Sequence, residues 1–220
     1  MGDVIQKFNK LKNPESFIQV NTVKGFKYID KAGEIVNKYH QKETAPLFSM
    51  NLNSLVIESP LQKIDELKIT PQIIWMKFSE VDSLDMVIDL FNTESKSVME
   101  ILNVDIVNRI GWRNYFIHEF NNREDQKKYF KNLTKFKNGY LTIARFEIDT
   151  KKDFKINLMI QPVEKNDENK TPGVLFDVDI FRTGNLKSSE ILSTLNKFKE
   201  YLKDQEEFLA IINSTFIKSE

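Results

Sequence analysis

The sequence predicts an α+β fold: a largely antiparallel, twisted sheet with helices packed on one face and a long helix at the C-terminal end. Three observations carry this expectation. Val104–Phe120 reads with period 2, placing Val104, Ile106, Ile110, Trp112, Phe116 and Phe120 on one face, with Asn108, Asn114 and His118 interrupting. Such alternation suits a half-buried strand of an antiparallel sheet. Three more alternating stretches follow it closely, and two amphipathic stretches with helical spacing flank the group. Meandering strands with helices laid on one side make an α+β architecture.

The first 16 residues, rich in Lys and Asn and carrying Pro14, predict no helix. Phe17–Val23 predicts a short strand. Within Lys24–Lys42, Phe26, Ile29, Ile35, Val36 and Tyr39 give a modest helical stripe, weakened by Gly25 and Gly33. Residues 1–42 hold eight lysines against four acids. Residues 1–45 are therefore expected to be an N-terminal extension of the same sheet or a docking arm, ahead of a single α+β domain over 46–220.

Asn53–Ser59 predicts a strand stopped by Pro60, and Ile73–Phe78 a second one. Ser83–Leu102 is an amphipathic helix with Ser83 as N-cap, its stripe running through Val87, Ile88, Phe91, Val98 and Met99; Asn92-Thr93 could split it. The long strand comes next. At about 3.3 Å per residue it runs on the order of 50 Å, too long to stay flat. Gly111 at its middle marks a bulge, a bend or a close approach. Asn121 or Asn122 caps a helix reaching Phe136. Tyr140–Thr150, Phe154–Val163 and Val174–Arg182 are the following strands, with Gly184 ending the last. From Ser188 or Ser189 a helix of roughly 25 residues carries Ile191, Leu192, Leu195, Phe198 and Leu202.

Composition bounds the function. At 220 residues, 40% hydrophobic and 29% charged, the chain can bury a real core. No run of about 18 apolar residues is present, so no membrane helix is expected. The start has no signal-peptide core, and a cytoplasmic location is the default. The lysine-, asparagine- and isoleucine-rich usage is associated with AT-rich bacterial coding. The absence of cysteine removes thiol nucleophiles, disulfides and Cys-based zinc sites. With 32 basic and 32 acidic residues, whole-molecule attraction to nucleic acid is not expected. The nearest basic–aromatic stretch, Lys127–Lys137, has its aromatics on the helical stripe, where they are expected to be buried.

Arginine placement is the most informative compositional feature. All five arginines (Arg109, Arg113, Arg123, Arg145, Arg182) lie between 109 and 182, whereas the other 27 basic residues are lysines. Arginine is favoured where a planar, bidentate contact to a carboxylate or phosphate is needed. Alternation puts Arg109 and Arg113 on one face, Arg145 with Glu147 and Asp149, and Asp177 with Asp179. If these faces coincide, one side of the sheet is a field of charges. The plain expectation is cross-strand pairs on a solvated face, each contributing roughly 0.2–1 kcal/mol. The functional expectation is a concave site in which Arg109, Arg113 and Arg145 contact an acidic partner segment or anionic small ligand. A divalent-metal site at Glu147, Asp177 and Asp179 is the alternative. His118 reads as a core or rim residue. No P-loop, G-x-G-x-x-G, H-E-x-x-H or G-x-S-x-G motif is present, and no cofactor is implied.

Asn108-Arg109-Ile110-Gly111-Trp112-Arg113-Asn114 resembles the R-I-G-x-R strand of a sporadically distributed family of uncharacterised bacterial proteins. The preceding helix and the later strands and final helix are also similar, over about residues 46–215. The resemblance implies the fold and brings no catalytic residues. The function expected is a non-enzymatic binding or interaction protein, an accessory subunit in a bacterial system. An acid-rich, metal-dependent enzyme and a structural homo-oligomer are the alternatives.

Overall fold

The computed structural model describes residues 12–22, 28–40, 43–79, 81–132, 143–150, 153–164 and 170–203. Among the described residues nine strands form one sheet: β1 (Lys12–Thr22), β2 (Leu47–Met50), β3 (Leu55–Leu61), β4 (Ile64–Ile69), β5 (Ile73–Ser79), β6 (Ile106–Glu119), β7 (Ala144–Asp149), β8 (Lys155–Glu164) and β9 (Pro172–Lys187). Their order is β2-β3-β4-β5-β1-β6-β9-β8-β7, and every pair is antiparallel. The helices are α1 (Tyr28–His40), α2 (Leu84–Leu102), α3 (Arg123–Asn132) and α4 (Ile191–Lys203), the last preceded by a 3₁₀ turn over Ser188–Glu190. The expected continuations of α3 to Phe136 and of α4 beyond Lys203 lie outside the described residues.

The helices pack on one face, as alternation requires. Ile18 and Val20 of β1, Ile74, Met76 and Phe78 of β5, Ile110 and Trp112 of β6, and Val178 and Ile180 of β9 are buried there. They join Ile35 of α1, Phe91 and Val98 of α2, and Leu195 and Phe198 of α4 in one core. The α2 helix is fixed at both ends. Ser83 Oγ accepts from the amides of Asp85 and Met86, and Asn103 takes a left-handed conformation (φ 54°) that ends the helix. It does not split at Asn92-Thr93. Asn122 caps α3, accepting from the Asp125 amide at 2.9 Å.

Within the first 45 residues, Lys12–Thr22 forms the strand between β5 and β6, hydrogen-bonded on both sides. The α1 helix covers β3 and packs on α2. Lys38 and Tyr39 of α1 both bond Glu94 of α2, the tyrosine hydroxyl at 2.8 Å. Burial together with the Glu94 carboxylate pushes the Tyr39 hydroxyl pKa far up, so it stays a donor.

Departures from the sequence reading have local causes. Pro60 does not stop β3. The strand continues to Leu61 across an irregularity, with Ser59 at φ 49°. β4 is a strand the sequence reading did not include: its buried positions are Ile64, Leu67 and Ile69, because a bulge against β5 between Ile64 and Glu66 breaks the two-residue period. Gly184 does not end β9: at φ 127°, which only glycine adopts easily, it carries the strand on to Lys187. In β6 the phase changes at Asn108, where the ladders to both β1 and β9 slip. Val107 is therefore buried and Ile106 exposed, the reverse of a strict alternation from Val104 to Phe120.

Candidate functional site

The face away from the helices carries all six acidic and basic residues singled out in the sequence. The ladders align them in rows. One row runs Arg145–Met159–Asp177–Tyr115–Glu15–Ser79, and the next runs Glu147–Asn157–Asp179–Arg113–Phe17–Lys77. Arg113 bonds its diagonal neighbour Asp177 in a fork, Nε to Oδ1 at 2.7 Å and Nη2 to Oδ2 at 2.5 Å. Bidentate geometry of this kind makes the strong form of an ion pair.

Arg109 reaches further. Its cross-strand partner is Thr183, yet its Nη2 bonds Asp179 Oδ2 at 3.0 Å, four positions along β9. The side chain lies along the sheet, over Gly111 and against the ring of Phe181, 4.9 Å from guanidinium carbon to ring centre. A Cβ on Gly111 would stand 2.6 Å from Arg109 Nη1. The glycine in mid-strand therefore marks a close approach, by a side chain from its own strand. The bulge lies three residues earlier, at Asn108.

These groups border a hollow of about 400 Å³ lined by Phe17, Gln19, Trp75, Arg109, Gly111, Arg113, Tyr115 and Asp179. Its aromatic wall is ordered internally: Phe17 stacks on Trp75 with centroids 5.5 Å apart and meets Tyr115 edge-on at 5.4 Å. Gly111 has no side chain, which lets the Arg109 guanidinium lie across the floor there. Arg109, Gly111 and Arg113, which carry the R-I-G-x-R resemblance, all face this hollow.

The electrostatics are those of a neutralised cluster. Burial pushes the Asp179 carboxyl up, and the guanidinium charges of Arg109 and Arg113 pull it back only in part. The hydrogen bonds that Arg113 donates to Asp177 hold it protonated more firmly than a free arginine. At the rim, Lys77 pairs with Glu15 at 2.8 Å, which raises its pKa. Among the described residues, Arg113 Nη1 and Arg109 Nε and Nη1 make no hydrogen bond within the protein.

Arg145 does not join the pair. It stands exposed on β7, three strand spacings or roughly 14 Å from β6. The alternative metal site is not assembled. Asp177 and Asp179 direct their oxygens to the two guanidiniums, while Glu147 pairs with Lys155 at 3.0 Å. Among the described residues no three His, Asp or Glu side chains gather as a metal would need. His118 is half-buried at the end of β6, edge-on to Phe120 at 4.9 Å, where desolvation lowers its pKa.

Of the Lys127–Lys137 stretch, Tyr129 and Phe130 are buried, with Lys127, Lys128 and Lys131 exposed; residues 133–137 lie outside the described residues. No described helix is long and apolar enough to cross a membrane. Sequence reasoning missed Phe17, Trp75 and Tyr115 as site residues. Each alternates with buried neighbours, but an aromatic on the open face of a strand looks like a second core position. Neither a family model nor a curated protein matches the chain.

Proposed function

We propose that this chain is a binding protein, of the kind that serves as an accessory subunit, and that the hollow over β6 receives its partner. The observation that carries this reading is the pair of guanidiniums held in place by Asp177 and Asp179 while other N–H groups stay unused. A fixed arginine loses little further freedom when it takes a carboxylate or phosphate, so less ordering remains to oppose binding. The aromatic wall of Phe17, Trp75 and Tyr115 suits a flat apolar group beside that acid. Because the cluster is neutral overall, recognition is short-range and depends weakly on salt.

The test compares three tagged forms of the full chain as baits in extracts of the native host, with bound proteins and small molecules measured by mass spectrometry. The wild type retains a stoichiometric protein or ligand, R109A/R113A loses it, and R145A keeps it. Retention by R109A/R113A at the wild-type level sinks the reading. Loss in R145A alone moves the contact away from the hollow.

A further inference from the structure

The two acids of the cluster are held unequally, and the inequality bears on what the hollow takes. Asp177 is gripped by both nitrogens of the Arg113 fork, its side chain is 6% exposed, and it does not line the hollow. Asp179 does line it and is 22% exposed. It keeps one good bond from Arg109, Nη2 to Oδ2 at 3.0 Å, with Oδ1 at a marginal 3.4 Å. Arg109 thus meets a loosely held acid through Nη2, while its Nε and Nη1 make no hydrogen bond among the described residues.

Resting on the reading that the hollow is the binding site, we propose that its ligand is a small aromatic monocarboxylate, one or two flat rings with a single acid group, and that it binds with uptake of one proton by Asp179. Size favours a small molecule. From Trp75 on β5 across β1 to β6 is two strand spacings, roughly 10 Å. A volume of about 400 Å³ lies toward the small end of small-molecule sites. The rings lie against the Trp75–Phe17 wall, and the carboxylate accepts from the unused N–H groups of Arg109 and Arg113. A planar acid with two oxygens matches a guanidinium edge. A phosphate monoester would bring a second negative charge beside the two aspartates, and an uncharged ring would cover those N–H groups without pairing them.

The proton follows from the geometry. A carboxylate seated on Arg109 stands next to Asp179, and two carboxylates sharing one site resist being ionised together. Asp179 is the one that takes the proton, because burial already pushes its carboxyl up and the guanidiniums pull it back only in part. β6 faces it with Arg109, Arg113 and Tyr115, and its own strand adds Asp177. On β8, Asn157 stands directly opposite and Lys155 is occupied by Glu147 of β7. None of these supplies a further positive charge to offset the ligand. Once protonated, Asp179 becomes a donor to the incoming oxygen.

Isothermal titration calorimetry of the full chain with benzoate, 2-naphthoate and indole-3-carboxylate reads affinity. Repeating it in buffers of different ionisation enthalpy reads the protons exchanged. The best of the three acids binds at least about tenfold more tightly than 2-naphthylmethanol, cyclohexanecarboxylate or 2-naphthyl phosphate. Its affinity rises as pH falls from about 8 to 6, by up to about tenfold per unit, the limit for one proton. Asp179→Asn binds more tightly than the wild type at the upper end of that range and loses both the pH dependence and the proton uptake, a gain that a misfolded variant cannot give. R109A/R113A binds none of the acids. If no acid binds the wild type, if the alcohol binds as well as the acid, or if Asp179→Asn keeps the pH dependence, the proposal is overturned. A host partner lost from the R109A/R113A bait while the acids fail to bind overturns the ligand class and leaves the binding site standing. An acid bound with the Asp179→Asn signature while that bait keeps its partner upholds the proposal and moves the host partner off the hollow.

Discussion

The two tryptophans stand on opposite faces of one sheet and show how differently each face is built. Trp112 is fully buried on the helix side of β6, and its Nε1 donates to Ser16 Oγ at 2.7 Å, which in turn donates to Asn114 Oδ1 at 2.9 Å. Trp75, on β5, lines the hollow and stacks on Phe17. The same alternation that builds the core on one side builds an ordered surface on the other. The helix side buries its aromatics; the open side holds them in partial contact with solvent, where a partner can reach them.

The largest effect expected is therefore an asymmetry between these two residues. Trp112→Ala removes a buried ring and the donor to Ser16 Oγ, and should destabilise the fold by about 3–5 kcal/mol. Trp75→Ala should cost about 1 kcal/mol, the scale of one aromatic pair. Urea unfolding of both variants reads the difference. Equal losses would break the comparison, because they would mean that the open face is covered in solution.

Next in size is the Arg113–Asp177 pair. The Asp177 side chain is only 6% exposed while that of Arg113 is 47% exposed, so the aspartate depends on its partner more than the reverse. Arg113→Ala leaves a buried carboxylate without its fork and should cost about 1–3 kcal/mol. R113A/D177A should recover part of that loss, since the stranded charge is removed with its partner. With Asp177→Ala measured as well, single losses that add up to the loss of R113A/D177A would show that the pair is not coupled.

Much of this was legible in the residues. The alternation of Val104–Phe120 identified the strand at the middle of the site, Ser83 announced a helix start, and the shared parity of Asp177 and Asp179 placed both on one face. What was not legible followed from irregularity and from distance. The bulges at Asn108 and in β4 break the period on which strand reading rests, so Val107 and Ile64 fall out of phase with their neighbours. The central position of β1 comes from pairing with strands that lie dozens of residues away, which no local pattern encodes. Arg145 shares a face with Arg109 and Arg113 but not a location, because alternation gives the side of a sheet and not the strand order.

The smallest expected effect separates the faces by pH. His118 ends the helix side of β6, and desolvation there lowers its pKa below the ordinary 6.5. The neutral ring is favoured in the fold, so its contribution is present above the unfolded pKa and lost as pH falls through the folded one. Asp179 on the open side is shifted the other way, upward from 3.8 by burial. Its contribution is present below that unfolded value and lost as pH rises through the folded value. Thermal unfolding from pH 7.5 down to 3.5 should show both signs by difference. H118Q should flatten the loss of stability below about pH 6.5, the histidine range. D179N should gain relative to wild type as pH rises above the carboxylate range, less whatever Arg109 loses by standing without its charge partner. If H118Q follows the wild-type curve through that range, the ring is solvated in solution and the helix side does not extend to the end of β6.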